Sequence, residues 1–236
     1  TPGNDFELAA GFLFTEGVIR YADDIEEIGY APTGSDTLLP ESERRERVCN
    51  TVRVRLQTDV TVAVATLARN FFTTSSCGVC GKASLLALEA VCPQRVECGF
   101  TVDVDLVRIF PQRLKDAQTV FARTGGLHGA GLFTANGDLL HVREDVGRHN
   151  AVDKLVGEAL LRNQLPLRDS ILMLSGRISF ELAQKAVMAG IPMIVAVGAP
   201  SSLAIRVAER FGMAMAGFVR GERLNIYNGA EYFTGF

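Results

Sequence analysis

Between residues 170 and 219 the chain repeats one pattern that leaves few folds open. Three short apolar runs (residues 170–175, 192–197 and 213–219) alternate with two helical ones (near 180–189 and 202–211). Strand–helix–strand units of this length pair their strands in parallel, and the crossovers are right-handed. Parallel strands end on one edge of their sheet, and ligands bind in the crevice outside those ends. The three ends here carry Ser175-Gly176-Arg177, Gly198-Ala199-Pro200-Ser201-Ser202 and Arg220-Gly221-Glu222-Arg223. Glycines, hydroxyls, a helix start and arginines are groups that suit phosphate oxygens. The expectation is an anionic, nucleotide-like ligand; the alternative is ordinary connecting loops with solvated arginines.

The segments before this run are read the same way. Residues 104–122 carry Leu106, Ile109, Phe110, Leu114, Ala117 and Phe121 at helical spacing, with Asp103 or Asp105 as the cap. Residues 127–142 read as a hairpin turning at Asn136-Gly137, the strongest short-range hairpin signal when apolar runs flank it. A helix is expected over residues 151–161. Of the histidines, His141 reads as a strand residue, whereas His149, beside Arg148 at a helix start, is better placed to meet an anion. Asp145, Asp153 and Lys154 read as structural pairs rather than catalytic acids.

In the first half, Asn4 is expected to cap a helix over residues 5–16, with Glu7 in the capping-box position and Gly17 as a stop. Residues 21–27 are acidic and turn-rich, and 31–46 read as an exposed loop. Residues 47–58 alternate through Val48, Val52, Val54 and Leu56 as a strand. Residues 59–72 give no firm assignment. After a Cys/Pro/Gly-containing connection, a boundary near Thr101 divides the chain into a smaller α+β domain, 1–101, and an α/β domain, 102–236.

The chemistry of the first half centres on Cys77-Gly78-Val79-Cys80-Gly81, preceded by four small hydroxyl residues, Thr73 to Ser76. Small residues permit a mobile backbone and leave sulfur accessible. The Ala- and Leu-rich run over residues 82–91 reads as a helix, so the pair lies at or before a helix N-terminus. Unpaired amides, the macrodipole and Lys82 there favour a thiolate, the nucleophile of persulfide and disulfide chemistry. Three alternatives compete. Zinc would need Cys92 and Cys98 as the second pair, but five residues separate them where structural sites usually place about two to four. A thioredoxin motif would need a buried strand before the pair, and Leu67 to Phe72 is a poor one. The cysteines can also be inert turn residues.

Composition narrows the classes. A chain of 236 residues, 47% hydrophobic, can bury a full core, and a net charge of −3 lacks the footprint of a general nucleic-acid binder. No apolar run reaches the roughly 18 residues of a membrane span, and the N-terminus is not signal-like. Five cysteines without a disulfide framework point to a reducing cytoplasm. Thr1-Pro2 in place of a Met suggests a trimmed start.

Taken together, five stretches resemble the formate dehydrogenase accessory sulfurtransferase family, FdhD. They are Cys77-Gly78-Val79-Cys80-Gly81, Thr124-Gly125-Gly126-Leu127-His128, Glu144 to His149 with Asp153-Lys154, Ser175-Gly176-Arg177, and Gly217-Phe218-Val219-Arg220-Gly221-Glu222-Arg223. The resemblance implies a cytidine-deaminase-like three-layer α/β/α C-terminal domain beside a smaller α+β N-terminal domain. It implies a homodimeric sulfur carrier between a cysteine desulfurase and formate dehydrogenase. The client would be the molybdenum (or tungsten) bis-guanine-dinucleotide cofactor, with GDP as a fragment mimic. By motif, Cys77 bears the persulfide and Cys80 relays it. The run Phe218, Val219, Arg220, Gly221, Glu222 and Arg223 binds the cofactor, joined on the rim by Gly176, Arg177, Ser201, Ser202 and His149. Glu222 departs from relatives and puts a negative charge among phosphate-seeking groups. A zinc deaminase needs His-x-Glu and Pro-Cys-x-x-Cys; here Arg148-His149-Asn150-Ala151 and Ser175-Gly176-Arg177-Ile178-Ser179 supply neither, so no resident metal is expected. The rival from another class is a non-catalytic chaperone that holds the mature cofactor and docks onto the dehydrogenase.

Overall fold

The computed structural model describes residues 1–31, 51–62, 85, 88–89, 92 and 95–236. Cys77, Cys80 and the hydroxyl run before them lie outside the described residues, as do residues 32–50 and most of the helix expected over 82–91.

The parallel run forms as its pattern requires. Strands β6 (Ile171–Leu174), β7 (Met193–Ala196) and β8 (Ala214–Arg220) pair in parallel, linked by helices α5 (Phe180–Met188) and α6 (Ser202–Phe211). All four residues of β6 and of β7 are buried, as a parallel strand covered on both faces must be. Hairpin β4 (His128–Phe133) and β5 (Leu139–Asp145) joins antiparallel on one side. On the other side β9 (Arg223–Asn228), not foreseen as a strand, folds back on β8, giving the order β5-β4-β6-β7-β8-β9.

Strand alternation sorts the core into two layers. Leu172, Leu174, Ile194, Ala196 and Met215 face one way, packing with α1 (Asp5–Thr15), α4 (Arg148–Leu161), α5 and α6. Ile171, Met173, Met193, Val195, Ala214 and Ala216 face the other, where α2 (Val104–Ala117) lays down Val107, Phe110 and Leu114. The result is helix, sheet and helix in three layers, the mixed α/β architecture expected. A two-residue parallel pairing of β3 (Val102–Asp103) with β10 (Phe233–Thr234) ties the C-terminus beneath α2.

The structure refines several local expectations. Asn4 sits in left-handed backbone at φ 60 and makes no side-chain cap bond, and Glu7 is drawn across to Arg143 at 2.7 and 3.0 Å instead of closing the capping box. The helix expected over 104–122 breaks at Gln118 into α2 and α3 (Thr119–Thr124). Glu144 accepts from the Val120 and Phe121 amides at 2.9 and 2.7 Å and so caps α3 from another element. Of the two caps expected for α2, Asp103 takes the position, accepting from the Asp105 amide. The stretch 21–27 leads into a strand, β1 (Ile25–Tyr30), because β2 (Val52–Leu56) pairs with it. Helix α4 starts at Arg148, three residues earlier than expected.

Helices α1 and α4 cross with backbones in contact. A Cβ on Gly11 would lie 1.8 Å from the Asp153 carbonyl oxygen, and one on Gly157 would lie 1.8 Å from that of Glu7. Only glycine at both positions allows this approach.

Candidate functional site

The loops at the C-terminal ends of β6, β7 and β8 are tied to one another by backbone bonds. The Gly198 amide donates to Gly176 O at 2.9 Å, the Phe218 amide to Gly198 O at 3.1 Å, and the Ser201 amide to Ile178 O at 2.8 Å. A Cβ on Gly198 would lie 2.8 Å from Gly176 O, and one on Gly217 would lie 2.9 Å from Gly198 O. These two glycines therefore set the spacing of the rim. Ser201 caps α6, its Oγ accepting from the Ala204 amide at 3.1 Å. Gly176, Arg177, Ser201 and Ser202 all stand on this tied rim, with Ser202 opening α6.

Beyond them β8 is distorted. Phe218 has φ 55 where the β8–β9 register slips, an arrangement that costs backbone energy, and the residue stays 43% exposed. Val219 is buried against the α2 layer. Arg220 and Arg223 are paired across the hairpin, and Gly221-Glu222 is the turn, with Gly221 at φ 55. Like charges held opposite one another in a hairpin repel.

A cleft of about 690 Å3 opens beside this turn on the α2 side of the sheet. Ser175 and Val197 continue the alternation of Met173 and Val195 and form its floor with Leu114; Gly221 and Glu222 form one lip. The opposite wall is α2, with Asp105, Arg108, Ile109, Gln112 and Lys115. Of the rim residues expected from the sequence, Gly221 and Glu222 line this cleft, whereas Gly176, Arg177, Ser201, Ser202, Phe218, Arg220, Arg223 and His149 stand outside it. The α2 wall was missed by the sequence reading, although Arg108, Gln112 and Lys115 at i, i+4 and i+7 make a polar stripe away from the buried face.

The start of α4 makes a second polar group. His149 Nε2 lies 3.1 Å from Ser179 Oγ and 3.7 Å from Glu181. The hydrogen bond from His149, with those from Ser179 and its own amide, outweighs burial and holds Glu181 at a pKa of about 2. His128 stands beside the Gly176 loop, where a Cβ on Gly176 would be 3.3 Å from its Nδ1. Burial first, then Arg148 and His149, push the His128 pKa down, so the ring is neutral near pH 7. His141 lies 3.3 Å from Glu158. Lys154 pairs with Asp145 at 2.8 Å, and Lys185 pairs with Asp153 at 2.8 Å while donating to Thr15 Oγ1. These buried pairs bind elements together and offer no free acid. Cys98 donates to the Phe100 carbonyl, and burial pushes its thiol up, away from a ligating thiolate.

The comparisons agree with this architecture. The matching family model is that of the FdhD/NarQ family, over residues 1–234. The sulfur carrier protein FdhD of Streptomyces avermitilis is 51% identical over 235 residues, spanning 97% of this chain and 79% of that protein. That of Mycobacterium tuberculosis is 46% identical, spanning 99% of this chain and 84% of that one. The archaeal counterpart from Sulfurisphaera tokodaii is 42% identical, with 98% and 81% covered. A crystal structure described as a formate dehydrogenase accessory protein from Desulfotalea psychrophila matches with a TM-score of 0.70 at 27% identity, covering 99% of this chain and 81% of that one.

Proposed function

This chain belongs to the FdhD/NarQ family, and on that premise we propose that it is a sulfurtransferase working through a cysteine persulfide. It takes sulfur from a cysteine desulfurase and delivers it to the molybdenum bis-guanine-dinucleotide cofactor, its substrate, on the way to formate dehydrogenase. The observation that carries the reading is the β8–β9 turn, which sets Arg220 opposite Arg223 at the mouth of a nucleotide-sized cleft outside parallel strand ends. Phosphate oxygens would neutralise both guanidiniums, and the exposed Phe218 offers an aromatic ring beside them.

The sulfur steps balance with the cysteines at hand. The Cys77 thiolate attacks the outer sulfur of the donor's persulfide, forms Cys77–S–SH after taking one proton, and releases the donor thiolate. The Cys80 thiolate then attacks Cys77 Sγ, closing a disulfide and expelling hydrosulfide toward the acceptor. Two thiolate sulfurs are oxidised as the carried sulfur is reduced, so a cellular dithiol must reopen the pair before the next cycle. Cys77, the earlier of the two, has Ser76 and Gly78 as neighbours, while Cys80 is closer in sequence to the helix expected over residues 82–91, whose N-terminus would favour its thiolate and make it the poorer nucleophile.

The test is mass spectrometry after incubation with desulfurase and cysteine. Cys77→Ala is expected to load no sulfur, and Cys80→Ala to load one atom yet pass it on poorly. Normal loading of Cys77→Ala would reverse the assignment, and an unmodified chain that never loads would favour a chaperone holding the finished cofactor.

A further inference from the structure

On the face of the sheet away from α2, three nitrogen-bearing side chains gather at the strand-end edge: His128 opening β4, with Arg148 and His149 opening α4. His128 continues the alternation of Ala130 and Leu132, which face the α4 layer. Strand β4 runs antiparallel to β6, so its first residue stands beside the loop that leaves β6. Two bonds fix it there: the Ser175 amide donates to Gly129 O at 3.0 Å, and the Gly129 amide donates to Ser175 Oγ at 2.9 Å. Arg148 and His149 are close enough for their charges to act on His128. Among the described residues neither ring nitrogen of His128 has a hydrogen-bond partner, nor does the Arg148 guanidinium, whose Nε is buried.

His149 differs, because one of its nitrogens is engaged. Glu181 is ionised, held at a pKa of about 2, and so only accepts. Ser179 gives Glu181 the one proton its hydroxyl owns. The 3.1 Å contact between Ser179 Oγ and His149 Nε2 is therefore a donation from Nε2–H. That contact fixes the tautomer, with the proton on Nε2 and the lone pair on Nδ1. Nδ1 has no partner among the described residues. An imidazole steered through one nitrogen while the other presents a lone pair is the arrangement of a general base. The charged and titratable groups around it are Glu181 from α5, His128 from β4 and Arg148 from its own helix. Asp145, at the end of β5, is taken by Lys154 and the Gly147 amide.

The carrier reading above, on which this inference rests, leaves one proton unplaced. Hydrosulfide arrives with a proton, and its sulfur stays on an acceptor as sulfide only once that proton is removed. We propose that His149 is the general base of this step. Nδ1 takes the proton of the delivered hydrosulfide: the S–H bond breaks, an N–H bond forms, and the electron pair stays on sulfur, with no change of oxidation state. Arg148 draws the anion in, and His128, with both nitrogens free, carries the proton on to solvent. Ser179 and Glu181 are positioning residues. Ser175, on the floor of the acceptor's cleft and bonded to Gly129, sets this group beside that cleft.

The test uses the full chain loaded with radiolabelled persulfide by the desulfurase, with loading read by mass spectrometry and transfer by the label appearing in the added cofactor. His149→Gln keeps an N–H for Ser179 and has no basic nitrogen. It is expected to load one sulfur atom as the wild type does and to transfer it about a hundredfold more slowly. Wild-type transfer should fall toward acid pH as imidazole takes up a proton, and H149Q should lack that limb. Ser179→Ala should slow transfer less and keep the limb. His149→Ala should regain transfer when imidazole is added, which a merely structural role would not give. A loaded H149Q that transfers like the wild type, or an H149A that imidazole does not rescue, overturns the base and leaves the carrier reading standing. A wild type that never loads sulfur overturns both.

Discussion

Lys154 and Asp145 show how a single residue pair holds the strand-end region in place. Lys154 on α4 is 1% exposed, Asp145 at the end of β5 is fully buried, and they meet at 2.8 Å. Burial alone would raise the Asp145 pKa; the Lys154 ammonium and the Gly147 amide outweigh it and hold the carboxyl at about 2. Between that value and the ordinary value of 3.8 the unfolded chain binds the proton that the folded chain refuses. The pair's contribution is therefore complete above pH 4 or so and lost as pH falls toward 2. Urea unfolding at stepped pH should show this fall, and Asp145→Asn should flatten that part of the profile. Lys154→Met removes the buried ammonium facing Asp145, which keeps its bonds from the Thr1 ammonium, the Gly147 amide and the Asn150 side chain, and should cost up to about 3–5 kcal/mol at pH 7. A loss below about 1 kcal/mol would mean that solvent reaches Asp145 after all.

At the scale of elements, the α1–α4 crossing positions the start of α4, from which Arg148 and His149 project. In an isolated helix Gly157→Ala would stabilise by about 1 kcal/mol through propensity. Here the added methyl would lie 1.8 Å from the Glu7 carbonyl oxygen, and neither backbone can yield without moving its helix. Overpacking of this kind costs about 1–3 kcal/mol or more, so the substitution should lower thermal stability despite the propensity gain. An unchanged or raised melting temperature would show that α1 rides loosely on α4. Gly11→Ala, which meets the Asp153 carbonyl oxygen at the same distance, is the matched control from the opposite helix.

For the whole molecule, the proposed reaction requires a cysteine run from the first half and a cleft built by the second to share one state during transfer. A ligand in the cleft shifts the population toward that state only if it binds it better. Amide exchange over residues 73–81 is therefore expected to slow when GDP is added. The same exchange with and without GDP would mean that cleft and cysteines act independently. No helix among the described residues is long and apolar enough to cross a membrane.

The sequence by itself determined the parallel three-strand run, the hairpin at Asn136-Gly137 and the place of the rim. Those features rest on local periodicity, turn chemistry and the rule that parallel strands end together. The family was legible too, because its motifs are short contiguous strings. What only the tertiary structure decided are features made by residues far apart in the chain. The capping box expected at Asn4 lost its Glu7 arm because Arg143 claims Glu7, and the helix over 104–122 divides at Gln118, where Glu144 caps α3. The α2 wall of the cleft stayed hidden for the same reason: helical spacing marks Phe110 and Leu114 for burial, but only their packing on the sheet sets Arg108 and Lys115 across the cleft from Glu222. Local pattern specifies which side of an element is buried; what its polar side confronts depends on the partner that packing brings.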